Sequence, residues 1–103
     1  MRKGSPRKIQ AGLDADALWG AVLEIKNLHE ARRFFRDLLT EQEILEFANR
    51  WKVARLLNKK VPYLEIERQT WMSSTTIARI QRWLKKGMGG YRLMLERTEK
   101  NKN

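Results

Sequence analysis

The chain has 103 residues, and 22 lysines and arginines against 12 aspartates and glutamates give it a formal net charge of +10. This charge favours a polyanionic partner, either nucleic acid or an anionic membrane surface. The absence of cysteine excludes disulfides and thiolate metal sites, the single histidine, His29, cannot form a metal site alone, and no apolar run approaches the roughly 20 residues that cross a bilayer, so we expect a cytoplasmic protein without cofactor, metal or membrane span.

The first twelve residues predict a basic, disordered arm, because four of them are lysine or arginine and they surround a Gly-Ser-Pro sequence. Beyond residues 1–12, apolar residues recur at helical spacing from Leu13 to Leu28. Asp14 is a candidate N-cap in front of them. The pattern predicts a first helix from about Ala15 to Asn27.

Two further helices are indicated in the middle of the chain. The stretch "HEARRFFRDLL", residues 29–39, carries its apolar residues on one side and predicts a second helix. It is followed by "TEQE", Thr40 to Glu43, which has the spacing of a capping box. A long third helix is therefore expected to begin there and to continue to about Asn58.

The next part of the chain predicts two short helices close together. Pro62 suits the first turn of a fourth helix, "YLEIERQT", and a fifth is expected from about Ser74 to Lys86, capped by Ser73 or Ser74. Two short helices joined by three or four residues have the outline of a helix-turn-helix. The sequence thus predicts a helix-turn-helix whose second helix is basic.

A short sixth helix is expected around Tyr91 to Leu95, after a "GMGG" connection that begins at Gly87 and before a polar tail of residues 98–103. No strand alternation and no internal repeat is evident. Residues 13–97 are accordingly predicted to form one all-α domain of about six helices.

The fifth helix has the residue types of a DNA-reading helix. Small hydroxyl side chains at its beginning can bond base edges, and the segment from Arg68 to Leu95 contains six basic residues and no acid. The residues predicted to face the bases are Ser73, Ser74, Thr75, Ala78 and Arg79. Those predicted to face phosphates are Arg68, Arg82, Lys85 and Lys86.

Two residues depart from an ideal helix-turn-helix. Trp71 stands in the turn, where glycine takes left-handed geometry without strain, and Glu67 stands where the two helices usually approach closely. Either the turn is wider than usual and the Trp71 ring covers an apolar edge, or the motif is degraded and binds DNA weakly.

Beyond these patterns, "RRFFRDLLTEQEILEFANRWKVARLL" and "TIARIQRWLKKGMGGYRLMLER" resemble the tryptophan-repressor-like proteins, specifically the small YerC/YecD type of bacterial regulators. The resemblance covers roughly Leu18 to Arg97. It implies an all-helical fold and an intertwined homodimer, in which the terminal helices of one subunit embrace the other. It also implies operator binding by the helix-turn-helix.

The same resemblance marks a possible vestigial ligand pocket. Arg50 and Arg79 match the two arginines that hold the indole in tryptophan-sensing members, and Thr40 matches a threonine near the ligand's amino group. Ile80 and Trp83 replace a glycine and a serine of those members. A buried isoleucine and indole would fill the cavity, so free tryptophan is not expected to be the corepressor.

The leading functional hypothesis is a homodimeric, sequence-specific DNA-binding transcriptional regulator, expected to be a repressor, with double-stranded DNA as its partner. The alternatives are an RNA-binding protein and a dimeric protein-interaction module with a degraded helix-turn-helix, acting through a tryptophan-rich surface. An enzyme is not expected, because the sequence offers no nucleophile–base pair, metal cluster or phosphate-binding glycine loop. The tryptophans of that surface are Trp19, Trp51, Trp71 and Trp83.

Overall fold

The computed structural model describes residues 6–100, and within this range the chain forms six α-helices and no strand. This confirms the all-α prediction. Within the same range, no helix combines the length and the apolar character that crossing a membrane requires. The helices are α1 (Pro6–Leu23), α2 (Leu28–Leu38), α3 (Glu41–Asn58), α4 (Tyr63–Thr70), α5 (Ser74–Lys86) and α6 (Gly90–Lys100).

The described chain divides into two compact units, one ending at Leu39 and the other beginning at Thr40. The sequence analysis did not anticipate this boundary within residues 13–97. It falls at two consecutive residues with extended backbone, since Leu39 has φ −116° and ψ 152° and Thr40 has φ −71° and ψ 161°. One helix ends there and the next begins with its own cap.

Helix α1 begins at Pro6, so the predicted start after Asp14 is wrong. The Gln10 side-chain amide donates to the Asp14 carboxylate at 3.1 Å, one helical turn along, which places Asp14 inside the helix rather than at its cap. The expected disordered arm is therefore helical from residue 6 onward, and residues 1–5 lie outside the described residues. Asn27, expected at the end of α1, instead caps α2 by accepting from Glu30 N at 2.9 Å.

The first unit has no buried side chain among residues 7–39. Phe34 and Phe35 meet edge to face, with ring centroids 5.4 Å apart, but both remain only half-buried. Two helices without a buried core gain little from the hydrophobic effect. An apolar surface is consequently left uncovered in this unit, formed by Ile9, Leu13, Trp19, Leu23, Leu28 and Leu38.

The second unit begins with the predicted capping box. Thr40 Oγ1 accepts from Glu43 N at 3.1 Å, and Thr40 N donates to the Glu43 carboxylate at 2.9 Å, so both halves are present. Helices α3, α4 and α5 then pack around one apolar core, to which α6 adds Leu95. The core residues of the three helices are Val53, Ala54, Leu57, Ile66, Ile77 and Ile80.

Helices α4 and α5 form the helix-turn-helix, joined by three residues, 71–73. Ile66 and Ile77 are fully buried and brace the pair against α3. The Thr70 hydroxyl, also buried, donates to Ile66 O at 2.7 Å and accepts from Met72 N at 3.3 Å. These bonds hold the start of the turn and fix the direction in which α5 leaves it.

Trp71 adopts the left-handed conformation at this turn, with φ 60° and ψ 16°, and its backbone N–H donates to Glu67 O at 2.9 Å. For a residue with a Cβ this conformation costs about 1–2 kcal/mol. The indole is 92% exposed, so the expectation that it covers an apolar edge is wrong. The turn keeps normal helix-turn-helix geometry in spite of the bulky residue, and Glu67 is half-buried beside it.

Helix α6 is longer than predicted and continues through residues 98–100 of the expected polar tail. Thr98 supports this last turn because its hydroxyl donates to Met94 O at 2.8 Å. Tyr91, at the beginning of α6, stacks on Trp51 of α3 with centroids 6.3 Å apart. The end of the tail, residues 101–103, lies outside the described residues.

Gly87 ends α5 at a position where a side chain does not fit. A Cβ built there lies 2.5 Å from the Trp83 carbonyl oxygen, which already accepts from Gly87 N. We expect Gly87→Ala to lower the free energy of unfolding in urea by about 2 kcal/mol, because backbone must shift to relieve the contact. Gly90→Ala is the matched control, since a Cβ at Gly90 meets nothing within 4 Å. Equal effects of the two substitutions would contradict the argument.

Candidate nucleic-acid interface

One face of α5 is buried and the opposite face is open. Ile77 lies in the core, while Thr75, Ala78, Arg79 and Arg82 are all exposed. These four exposed positions follow helical spacing and therefore share one side of the helix. The helix thus presents a continuous outward stripe that begins with a hydroxyl and ends with guanidinium groups.

The hydroxyl groups at the beginning of α5 do two different things. Ser73 is the N-cap, because its Oγ accepts from Thr76 N at 3.2 Å and lies 3.1 Å from Thr76 Oγ1. Ser74 and Thr75 are exposed, and neither hydroxyl bonds another described side chain or backbone group. Of the hydroxyls predicted to face bases, those of Ser74 and Thr75 are therefore available to a ligand, while that of Ser73 is committed to the cap.

The cations of α5 are not neutralised within the protein. Arg79, Arg82, Lys85 and Lys86 are exposed, and none forms an ion pair with a residue of the described range. In the sequence, no acidic residue occurs from position 68 to 95. The positive charge of this helix therefore acts on the solvent side without internal compensation.

Arg68, the fourth residue predicted to face phosphate, differs from these cations. Its guanidinium donates to the Glu65 carboxylate at 2.6 and 3.2 Å, one turn back in α4. The bond to Arg68, with a second from the Gln69 amide, lowers the pKa of the Glu65 carboxyl below its usual value. Arg68 is itself largely exposed, so a phosphate would compete with Glu65 for it.

An open cleft of about 410 Å³ lies between α3 and α5, with arginines from both helices in its wall. Arg50 is held there by Glu46 at 2.7 Å, and its guanidinium lies 5.9 Å from the centroid of the Phe47 ring. The cleft is lined by Glu46, Arg50, Met72, Thr76, Arg79, Ile80, Trp83 and Tyr91.

This cleft unites four of the five residues expected in a vestigial pocket, and the fifth, Thr40, serves in the capping box instead. Ile80 is buried as expected, with 3% of its surface exposed. Trp83 is 52% exposed, so the expectation that its indole fills the cavity is wrong. The side chain lies over the rim of the cleft because α5 ends four residues later and no helix covers that side.

A second, apolar cleft of about 500 Å³ was not foreseen from the sequence. It lies where α5 ends and α6 begins, and the fully exposed side chain of Met88 stands at its edge. The methionine of the "GMGG" connection was a usable signal, because a large apolar residue in a glycine-rich loop is unusual. The residues around this cleft are Trp51, Trp83, Gly87, Met88, Gly90, Tyr91 and Met94.

A three-helix core that presents the second helix of a helix-turn-helix, with a basic outward stripe, defines a small helix-turn-helix protein. Residues 14–99 match the family model described as Trp repressor protein. The chain therefore belongs to the Trp repressor family.

Its relatives agree with this membership. The uncharacterised protein YerC of Bacillus subtilis (strain 168) is 40% identical over 88 residues, which are 85% of either chain. A TrpR-like protein from Eubacterium eligens ATCC 27750 has a similar crystal structure, with TM-score 0.81 and 38% identity over 84% of this chain and 90% of that one. A Trp repressor candidate from Staphylococcus aureus also gives TM-score 0.81, with 31% identity over 93% and 96% of the two chains.

Proposed function

We propose that the protein is a homodimeric, sequence-specific DNA-binding regulator of transcription that acts as a repressor through its helix-turn-helix. The observation that carries the proposal is the outward stripe of α5, in which exposed hydroxyls precede exposed, unpaired cations. A stripe of this kind has little use in a water-facing helix that binds nothing, because the charges repel one another. It fits a duplex, which offers base edges in the groove and phosphates at its rims.

The roles within the stripe follow from reach and chemistry. Ser74, Thr75, Ala78 and Arg79 lie toward the beginning of α5 and are assigned to the base edges, as in other helix-turn-helix proteins, Trp repressor among them. Ser73 is assigned with them through its position, although its hydroxyl caps the helix. The phosphate contacts are assigned to Arg68, Arg82, Lys85 and Lys86, which add affinity and register but little sequence choice.

Dimerisation is supported by the uncovered apolar surface of the first unit. None of residues 7–39 is buried, yet this stretch contains large apolar side chains such as Trp19 and Leu23, 57% and 81% exposed. A second copy of the chain would cover this surface, in keeping with the family's intertwined dimers. Two copies related by a twofold axis would present two α5 helices to one duplex.

Free tryptophan is not the corepressor in this proposal. The Ile80 side chain occupies the wall of the cleft between Arg50 and Arg79, and the Glu46 carboxylate both holds Arg50 and would repel the carboxylate of an amino acid. Calorimetric titration with L-tryptophan is expected to show no binding below millimolar concentration. Micromolar affinity would contradict this part of the proposal.

A protein-interaction module is the second candidate, because Trp71 and Trp83 are 92% and 52% exposed and tryptophan is frequent among the residues that dominate protein interfaces. An RNA-binding role is favoured by charge alone. Selection from a random library of duplex DNA, with a random RNA library in parallel, separates these candidates. A palindromic DNA consensus with half-sites about one helical turn apart is expected. Absence of duplex binding even at about 50 mM salt would remove the proposal.

A charge-neutral change in α4 should strengthen DNA binding. Glu65→Gln removes an anion near the expected phosphate path and releases Arg68, whose guanidinium Glu65 now holds. We expect affinity for duplex DNA to rise several-fold and the dependence on salt to steepen by about one phosphate contact per subunit. Fluorescence anisotropy at several salt concentrations measures both quantities. The double variant Glu65→Gln, Arg68→Ala is the control and should lose the gain; if it keeps the gain, Arg68 does not contact phosphate.

A further inference from the structure

Trp71 carries two costs that the fold of this chain does not offset. Its backbone is left-handed, one of two such non-glycine residues in the described range beside Lys60, although glycine takes this conformation without strain. Its indole is 92% exposed, so it contributes almost no burial to the core. Unusual backbone that the local packing does not require is often found at functional positions. The side chain therefore needs a reason outside the folded chain.

The position of Trp71 suggests that reason. It lies two residues before Ser73, the N-cap of α5, so the two Cα atoms are at most about 7 Å apart. The exposed hydroxyls of Ser74 and Thr75 begin the outward stripe on the same end of the helix. A duplex that receives this stripe would bring its backbone close to the indole.

We propose that Trp71 contacts DNA: its ring packs against a deoxyribose at the edge of the groove, and its indole N–H donates to a phosphate oxygen. This inference rests on the proposed function and adds a residue to it. The indole suits the task, because it has a large apolar face and a single donor that no acceptor in the described chain satisfies. A contact of this kind adds affinity and fixes register without reading sequence.

The surroundings of Trp71 favour DNA over a protein partner. A tryptophan that anchors a protein interface normally stands within a ring of further apolar contacts that exclude water. Here the neighbouring residues along the chain are the buried Thr70, the half-buried Met72 and the exposed, polar Ser73 and Ser74. The isolated ring stands beside a helix with uncompensated cations, which attracts a polyanion rather than an apolar surface.

The test compares variants that remove the ring but accept the left-handed backbone. Trp71→Gly and Trp71→Asn should both raise the midpoint of thermal unfolding or leave it unchanged, since glycine and asparagine tolerate this conformation. Both should nevertheless bind a pooled, random-sequence duplex five- to twentyfold more weakly, roughly the loss of one aromatic contact. Trp71→Phe, which keeps a ring without the donor, should fall between these variants and the unaltered chain.

The outcomes separate this inference from the proposed function. If the unaltered protein binds duplex DNA and Trp71→Gly binds it equally well, Trp71 is not a DNA contact and the proposed function stands. If the unaltered protein binds no duplex DNA at low salt, both are overturned. Loss of a protein partner by Trp71→Gly with unchanged DNA affinity would instead assign the ring to a protein interface.

A second measurement does not depend on affinity. In protein labelled with 5-fluorotryptophan, the ¹⁹F resonance of Trp71 is identified by its absence in Trp71→Gly. Adding duplex DNA should shift this resonance and reduce its sensitivity to exchange of H₂O for D₂O, because the ring leaves water. The resonance of Trp19, on α1, serves as an internal reference for general effects of complex formation. A Trp71 resonance that stays fully solvent-sensitive in the complex overturns the inference.

Discussion

Replacing Arg82, Lys85 and Lys86 together by alanine should lower the affinity for duplex DNA by roughly two to three orders of magnitude near 0.1 M salt. The three side chains are exposed, so the protein should remain folded. In a dimer the triple variant loses six cations from the DNA side. The slope of log affinity against log salt should therefore become less steep by roughly five units, which anisotropy titrations at four or five salt concentrations will measure.

A matched control separates the position of these charges from their number. Lys26, Arg32 and Arg33 are exposed cations of the first unit, and replacing them by alanine removes the same net charge. That triple variant should lose far less affinity, because general attraction between exposed charges is screened over about 10 Å. Equal losses would show that α5 has no special role. Thr75→Ala should act differently from either, changing the order of preferred sequences while leaving the salt slope intact.

The middle of the fold could be predicted from sequence because its signals are local. The capping box at Thr40 fixes the start of α3, and Ser73 fixes the start of α5, each through hydrogen bonds within three residues. Pro62 sits at the cap of α4, one residue from the predicted place, because a proline cannot continue a helix from the preceding segment. Such signals require no knowledge of distant contacts.

The two ends of the chain were predicted less well because their signals are compositional. A basic segment reads as disorder, yet α1 begins at Pro6 and contains Asp14 in its interior. A polar tail reads as coil, yet α6 continues through Thr98 to Lys100. In both places the residues are compatible with a helix that is already under way, and composition does not record where a helix stops.

The candidate site could be predicted in its residue types and its face, but not in its details. Helical spacing placed Thr75 and Arg79 on the side opposite the buried Ile77. Two facts depended on three-dimensional placement: the left-handed backbone of Trp71 with its exposed ring, and the half-exposed indole of Trp83 beside an open cleft. The pairing of Arg68 with Glu65 was within reach of the sequence, since the residues are three apart on one helix.

Introducing glutamate at Leu13 and Leu23 of α1 should convert a dimer into monomers. The two side chains are 59% and 81% exposed in the single chain, so glutamate there should change the stability of an isolated subunit by only about 0.5 kcal/mol. If a second copy covers this surface, the same change buries two charges at the interface and costs several kcal/mol. Sedimentation equilibrium of the double variant measures the difference directly.

The double variant should also lose DNA binding, although neither residue belongs to the helix-turn-helix. A dimer engages both half-sites of an operator with its two α5 helices already joined, and the loss of that linkage typically lowers affinity by about two to four orders of magnitude. Gln42→Glu, which adds a charge at an exposed polar position of α3, should leave both association and DNA binding nearly unchanged. A double variant that remains dimeric would mean that the first unit lies outside the dimer contact, and the apolar cleft around Met88 would then be the surface to alter next.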